Sequence, residues 1–199
     1  MDEIEELLLI DAAAWRAWLA ERHAHAGAVW LVLAKKGTSM PTSLTYDQAL
    51  EEALCHGWID GQVRRRDDLT YRQRFTARRA RSAWSKRNVA LTERLTEEGR
   101  MHPAGLAEMD RAKADGRWES AYAGPASIEV PSELTAALAA NPAAEATFAA
   151  LSSQNRYAIL YRIATAKRPQ TRERRIAQFV AMLARGETIH PQASRPPLT

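Results

Sequence analysis

The chain has 199 residues, 46% hydrophobic and 26% charged, which is enough apolar material for a sizeable core and excludes wholesale disorder. Its net charge is +4 and its pI about 9.5, a mild basic excess whose distribution matters more than its sum. A single cysteine excludes an intramolecular disulfide and a cysteine zinc cluster, and it suits a reducing compartment. The acidic opening, with Asp2, Glu3, Glu5 and Glu6, lacks the basic start of a signal peptide, and no apolar run approaches a membrane span. A cytoplasmic protein is expected.

In chain order, Ala14, Trp15, Trp18 and Leu19 recur at helical spacing within residues 11–22. Ala28 to Ala34 is a short, continuous apolar run rich in β-formers, which predicts a strand buried on both faces. Lys35, Lys36 and Gly37 end it. Thr45 and Gln48 match a capping box, and Ala49, Leu50, Ala53 and Leu54 make the apolar face of the helix behind it. Gly57 suits the position just past that helix. Trp58 begins an extended stretch, and the turn signal Asp67-Asp68 separates residues 62–66 from 69–76, predicting a β-hairpin. Ser82 or Ser85 caps the next helix, which carries Val89, Leu91 and Leu95 and stops at Gly99. Pro103 opens another, with Leu106, Met109 and Ala112 inward and Gly116 at its end.

Composition shifts between Gly124 and Pro131, and everything beyond reads as helical. Leu134 and Leu138 mark one helix. Asn141-Pro142 starts a second, Ser152 a third, and residues 171–185 form a fourth with Ile176, Phe179, Val180 and Leu183 inward. The expected organisation is an α+β domain over residues 1–123, a linker at 124–131, a helical subdomain at 132–186 and a flexible tail at 187–199. The expected fold class is α+β, a small antiparallel sheet from residues 28–34 and the 59–76 hairpin packed on helices, followed by an all-helical C-terminal bundle. Parallel pairing of the first two strands through a helix is the topological alternative.

The stretch from Cys55 to Asn88 concentrates the unusual chemistry, with two of the six tryptophans and ten Lys or Arg against three Asp. Residues Ala53 to Gly61, then Phe75 to Arg79, then Ser82 to Ser85 with Asn88, resemble the bacterial YdeI/OmpD-associated family, also labelled bacteriocin-protection. Its tail motif is matched at Ala166 to Pro169, Thr171-Arg172, Arg175-Ile176 and Met182 to Gly186. The resemblance spans roughly residues 10–190. Ala77 stands where the family more often has proline, which leaves that backbone less rigid. The resemblance implies a stress or antimicrobial-protection role and brings no reaction with it.

The candidate ligand-binding residues are Lys35, Trp58, Asp60, Arg78, Arg79, Ser82, Trp84, Ser85 and Asn88. Arginine forks suit phosphates and carboxylates, serines at a helix start offer hydroxyls and free amides, and a tryptophan in a basic turn can stack a planar group. Each has a structural alternative: Trp58 and Trp84 as core, Asp60 fixing a strand end, and the arginines and lysines as a solvated face. Asp60 is the candidate general base if the chain is an enzyme. Cys55 and His56 are helical neighbours whose side chains diverge, so they do not make a nucleophile pair. His23 and His25 lack a carboxylate at ligand spacing, and neither metal nor cofactor is expected. Arg156, Arg162, Lys167, Arg168, Arg172, Arg174, Arg175 and Arg185 give the C-terminal helices a basic face that could meet nucleic acid or another acidic surface. Two functions stay open: a non-catalytic protein binding an anionic or planar ligand, or a small cofactor-independent enzyme with Asp60 as base and Arg78 and Arg79 as anchors.

Overall fold

A computed structural model describes residues 4–125, 127–166 and 168–192. The chain divides into two compact units, Met1–Ala121 and Tyr122–Thr199. The fold is α+β.

The first unit contains strands β1 (Glu6–Leu7), β2 (Ala28–Ala34), β3 (Trp58–Arg65) and β4 (Thr70–Ala77), with helices α1 (Ala12–Arg22), α2 (Tyr46–Cys55), α3 (Lys86–Glu97) and α4 (Pro103–Ala114). The sheet order is β1-β2-β4-β3. β2 and β3 both run antiparallel to β4, so the hairpin forms as expected and lays its second strand against β2. The alternative of parallel pairing between residues 28–34 and the next strand is not what forms. The sheet is mixed rather than purely antiparallel, because the two-residue β1 adds a parallel edge beside Trp30 and Leu31.

Side chains alternate across a strand, so β2 divides cleanly between two faces. Val29, Leu31 and Leu33 join Phe75 in the main core, against Trp15 and Leu19 of α1 and Leu50 and Leu54 of α2. The Trp15 indole N–H donates to the Ala49 carbonyl at 3.1 Å, which satisfies its polar atom inside this core. Trp30, Val32 and Ala34 point the other way yet are also buried, as the unbroken apolar run predicts.

The local signals act where the residues place them. Thr45 and Gln48 form the reciprocal capping box of α2, and Gly57 takes a φ of 74° just after it. At the head of α3 the cap is Ser85, whose hydroxyl accepts the Asn88 N–H, and not Ser82. Two glycines let α4 approach the end of α2. A methyl on Gly105 would sit 2.2 Å from the Cys55 carbonyl oxygen, and the His102 N–H donates to that same oxygen at 3.0 Å. Between Asp60 and Val63 the β3–β4 register shifts by a bulge. The buried amide of Gln73 donates to the carbonyls of Gly61 and Gln62 there, at 2.9 and 3.4 Å.

The second unit holds α5 (Ser132–Ala139), α6 (Pro142–Ala149), α7 (Ser153–Ala164) and α8 (Pro169–Ala184). Leu134, Leu138, Phe148, Ile159, Ile163 and Leu183 form its core, with Ile128 and Val130 packed against it. Asn141 and Ser152 cap α6 and α7 as predicted. Buried Asn155 accepts the His190 N–H at 2.8 Å and donates to the His190 carbonyl at 3.0 Å, which ties back the start of the expected tail. The remainder of that tail, from residue 193, and Lys167 lie outside the described residues. Among the described residues no helix is long and apolar enough to cross a membrane.

Candidate functional site

The residues singled out from the sequence occupy two ends of the sheet. Trp58 faces Ala77 at one end of the hairpin, while Lys35 follows Ala34, which faces Thr70 at the other. The Lys35 ammonium donates to the Asp67 and Asp68 carbonyls at 2.7 and 3.2 Å, clamping the hairpin turn. It does not join the others.

Trp58 is 1% exposed, its indole N–H donating to the His23 carbonyl at 3.1 Å. Asp60, opposite Phe75, accepts the Tyr46 hydroxyl at 2.9 Å. Burial, and then the Asp60 charge, push the Tyr46 phenol far up, so Tyr46 acts as a fixed donor that occupies the carboxylate.

Of Arg78, Ser82, Trp84, Ser85 and Asn88, Arg78, Trp84 and Asn88 are buried and the two serines half-buried. Trp84 is 2% exposed, with the Arg78 guanidinium 3.6 Å from its ring centre and the Trp118 ring at 4.7 Å. Arg78 is itself buried and donates to the Ala83 carbonyl at 3.3 Å. The indole therefore has no open face for a planar ligand. Ser82 accepts the Arg79 N–H through its hydroxyl, and its carbonyl accepts from Arg117. Ser85 caps α3, Asn88 is buried in its first turn, and Arg79 stays exposed.

A basic-aromatic arrangement lies on the other sheet face, opposite the one packed on α1 and α2, with its tryptophan buried beneath arginines. Residues opposite one another in an antiparallel pair share a face. Trp30 faces Arg74, Val32 faces Arg72, and Arg72 faces Arg64. The Arg64 guanidinium crosses to lie 4.5 Å from the Trp30 ring centre. Half of this face is neutralised: Glu6 receives Arg66 at 3.0 Å and Arg72 at 3.1 Å, and Arg66 also meets Asp67 at 2.6 Å. The other half is not. Among the described residues neither Arg64 nor Arg74 meets a carboxylate, and the buried Nε of Arg74 has no hydrogen-bond partner. An uncompensated guanidinium pair beside an indole suits an anion with a planar part.

A second grouping escapes sequence reading altogether. His23 closes α1, His56 closes α2 and His102 caps α4, and their rings meet at 4.7 to 5.6 Å. His56 and His102 stack at 5.0 Å. The Nδ1 atoms of His23 and His56 donate to the Leu19 and Glu52 carbonyls, while that of His102 accepts the Ala104 N–H. Burial pushes the His56 imidazole down, and its two histidine neighbours add to this against the pull of Glu52. Among the described residues no three His, Cys, Asp or Glu are arranged to hold a metal ion.

The charges on the flank of α2 are structural. Glu52, 3% exposed, takes Arg16 at 2.6 Å and Arg100 at 2.8 Å. Burial pushes its carboxyl up, but the two guanidiniums outweigh burial and hold it below the usual range. Burial pushes the Cys55 thiol up to about 11, which suits an inert core residue rather than a nucleophile. In the second unit Arg172 pairs with Glu133, Arg185 with Glu187, and Arg156 stacks on Phe148.

No curated protein and no solved structure matches this chain. Two family models do. One, described as "Bacteriocin-protection, YdeI or OmpD-Associated", matches residues 127–186 and so takes in the tail motif from Ala166 to Gly186. The other, a domain of unknown function (DUF8412), matches residues 7–108, more than half of the 199, and takes in both the Trp58–Asn88 stretch and the Trp30 face. The chain thus belongs to the DUF8412 family through its first unit and carries the bacteriocin-protection, YdeI or OmpD-associated domain in its second.

Proposed function

We propose that this is a non-catalytic binding protein whose ligand is an anion with a planar portion, held on the outer sheet face at Trp30, Arg64 and Arg74. The observation that carries the reading is the pair of guanidiniums, Arg64 and Arg74, placed around one indole and, among the described residues, meeting no carboxylate. The Trp58–Asn88 segment serves this face from behind, as the packed frame of the hairpin. The enzyme reading is the weaker one: the Asp60 carboxylate is engaged by Tyr46, and the Arg78 guanidinium lies against Trp84. The words bacteriocin-protection in the family description favour a protective role, in which the protein withholds or senses its ligand. We place it in the cytoplasm, in keeping with a lone buried thiol.

Thymidine 5′-monophosphate at low ionic strength, followed by calorimetry, tests the reading. Binding that weakens with salt and is lost in Arg74→Ala supports it. No heat with the wild-type protein, or equal heat with the variant, overturns it.

A further inference from the structure

We infer that the ligand of this face is a single-stranded nucleic acid, an inference that rests on the reading just given. Three arguments select it. The first is spacing. Arg72 and Arg74 stand two residues apart on one strand, about 7 Å by strand geometry, and Arg64 lies one strand over, about 4.8 Å away in the pairing direction. Arg72 is engaged by Glu6, so Arg64 and Arg74, a diagonal pair across the two strands, are the forks that successive phosphates of a chain would meet in turn.

The second argument is the stack. The Arg64 guanidinium lies over Trp30, which is only 7% exposed, so the surface offered outward is the arginine plane backed by an indole. Guanidinium planes accept unstacked bases, and a base laid on Arg64 would complete a base–guanidinium–indole sandwich. Bases within a duplex are already stacked and paired, so single strands are favoured. The third is charge. Across this face Glu6 and Asp67 together offset Arg66 and Arg72, which leaves the net positive charge among the described residues at Arg64 and Arg74, beside the stack. An acidic protein would satisfy the charge but leave the stacking plane unused.

The test is fluorescence anisotropy with a fluorescein-labelled oligothymidylate of about 12 nucleotides, within the span that single-strand-binding domains cover. Two phosphate contacts, at Arg64 and Arg74, give a slope of log K against log salt of about −1.4, and Arg74→Ala should flatten it by about 0.7. Arg64→Lys keeps the charge and removes the plane. It should cost about tenfold at constant salt slope, the lower part of the range for losing one stacked base. Duplex of the same length should bind more weakly. An oligonucleotide no tighter than thymidine 5′-monophosphate overturns the polymer inference and leaves the anion site standing. If neither binds, both fall. Oligonucleotide binding that ignores Arg64→Lys and Arg74→Ala also overturns the inference, because the strand then lies elsewhere. Preference for acidic lipid vesicles over the oligonucleotide overturns it as well.

Discussion

The guanidinium of Arg78 lies 3.6 Å from the centre of the Trp84 ring, and both residues are buried. A desolvated contact of this kind is worth about 2 kcal/mol, and the arginine stem adds packing that alanine cannot replace. Arg78→Ala should therefore lower stability by about 2–4 kcal/mol, read from urea unfolding monitored at the tryptophans. An unchanged midpoint accompanied by lost anion binding would return Arg78 to the ligand site.

The close approach of α4 to α2 gives a second prediction. Alanine is the better helix former by about 1 kcal/mol, so Gly105→Ala should stabilise if propensity ruled. Its methyl would instead meet the Cys55 carbonyl at 2.2 Å. Backbone cannot swing aside as a side chain can, so the helix must lift and strain the His102–Cys55 hydrogen bond. A loss of about 1–3 kcal/mol is expected from such overpacking. A rise in melting temperature would show that the two helices are not so close.

Stability should also depend on pH through His56. Its folded-state pKa lies below the unfolded value of about 6.5, because burial and two neighbouring histidines oppose a charge there. The unfolded chain thus binds the proton more readily. The stabilisation is fully present above about pH 6.5 and is lost as pH falls through the depressed folded value. Urea midpoints taken from about pH 7.5 down to about pH 5, which brackets the ordinary histidine value, should fall in the wild type and fall less in His56→Gln. Parallel pH profiles would exclude His56 as the source.

Limited proteolysis should cut first near Gly124 and Pro125. The unit boundary lies between Ala121 and Tyr122, while Ile128 and Val130 pack on the second core. Protection should therefore begin at residue 128 rather than at Pro131. First cuts within β2 would contradict this division.

What could be read in the sequence was what is local. The Thr45–Gln48 box, the Asp67-Asp68 turn and the left-handed Gly57 depend on residues within one turn of each other, and they form as read. Other features needed distant partners. The two-residue β1 has no signal of its own and exists through its pairing with β2. The histidine cluster joins residues 33 and 46 positions apart (23 to 56, and 56 to 102), each of which looks isolated in the chain. The Trp30 face was hidden for a different reason. An unbroken apolar run conceals which residues turn toward the helices, and only the pairing register with Arg72 and Arg74 separates them.

The bulge that Gln73 holds in place sets the parity of the hairpin tip. Counting on from Asp60 opposite Phe75 with every residue kept and no register shift, Arg64 would stand opposite Tyr71, on the helix side of the sheet. With it, Arg64 stands opposite Arg72 and reaches Trp30. Side-chain parity along a strand is all or nothing, so pairing the unchanged sequence in the unshifted register would exchange the outward and inward sets from residue 63 to the turn in one step. The basic-aromatic face is in this sense a one-residue frame choice, guarded by a buried amide. A relative of the same hairpin length that paired without the shift could keep every arginine and still turn Arg64 away from Trp30.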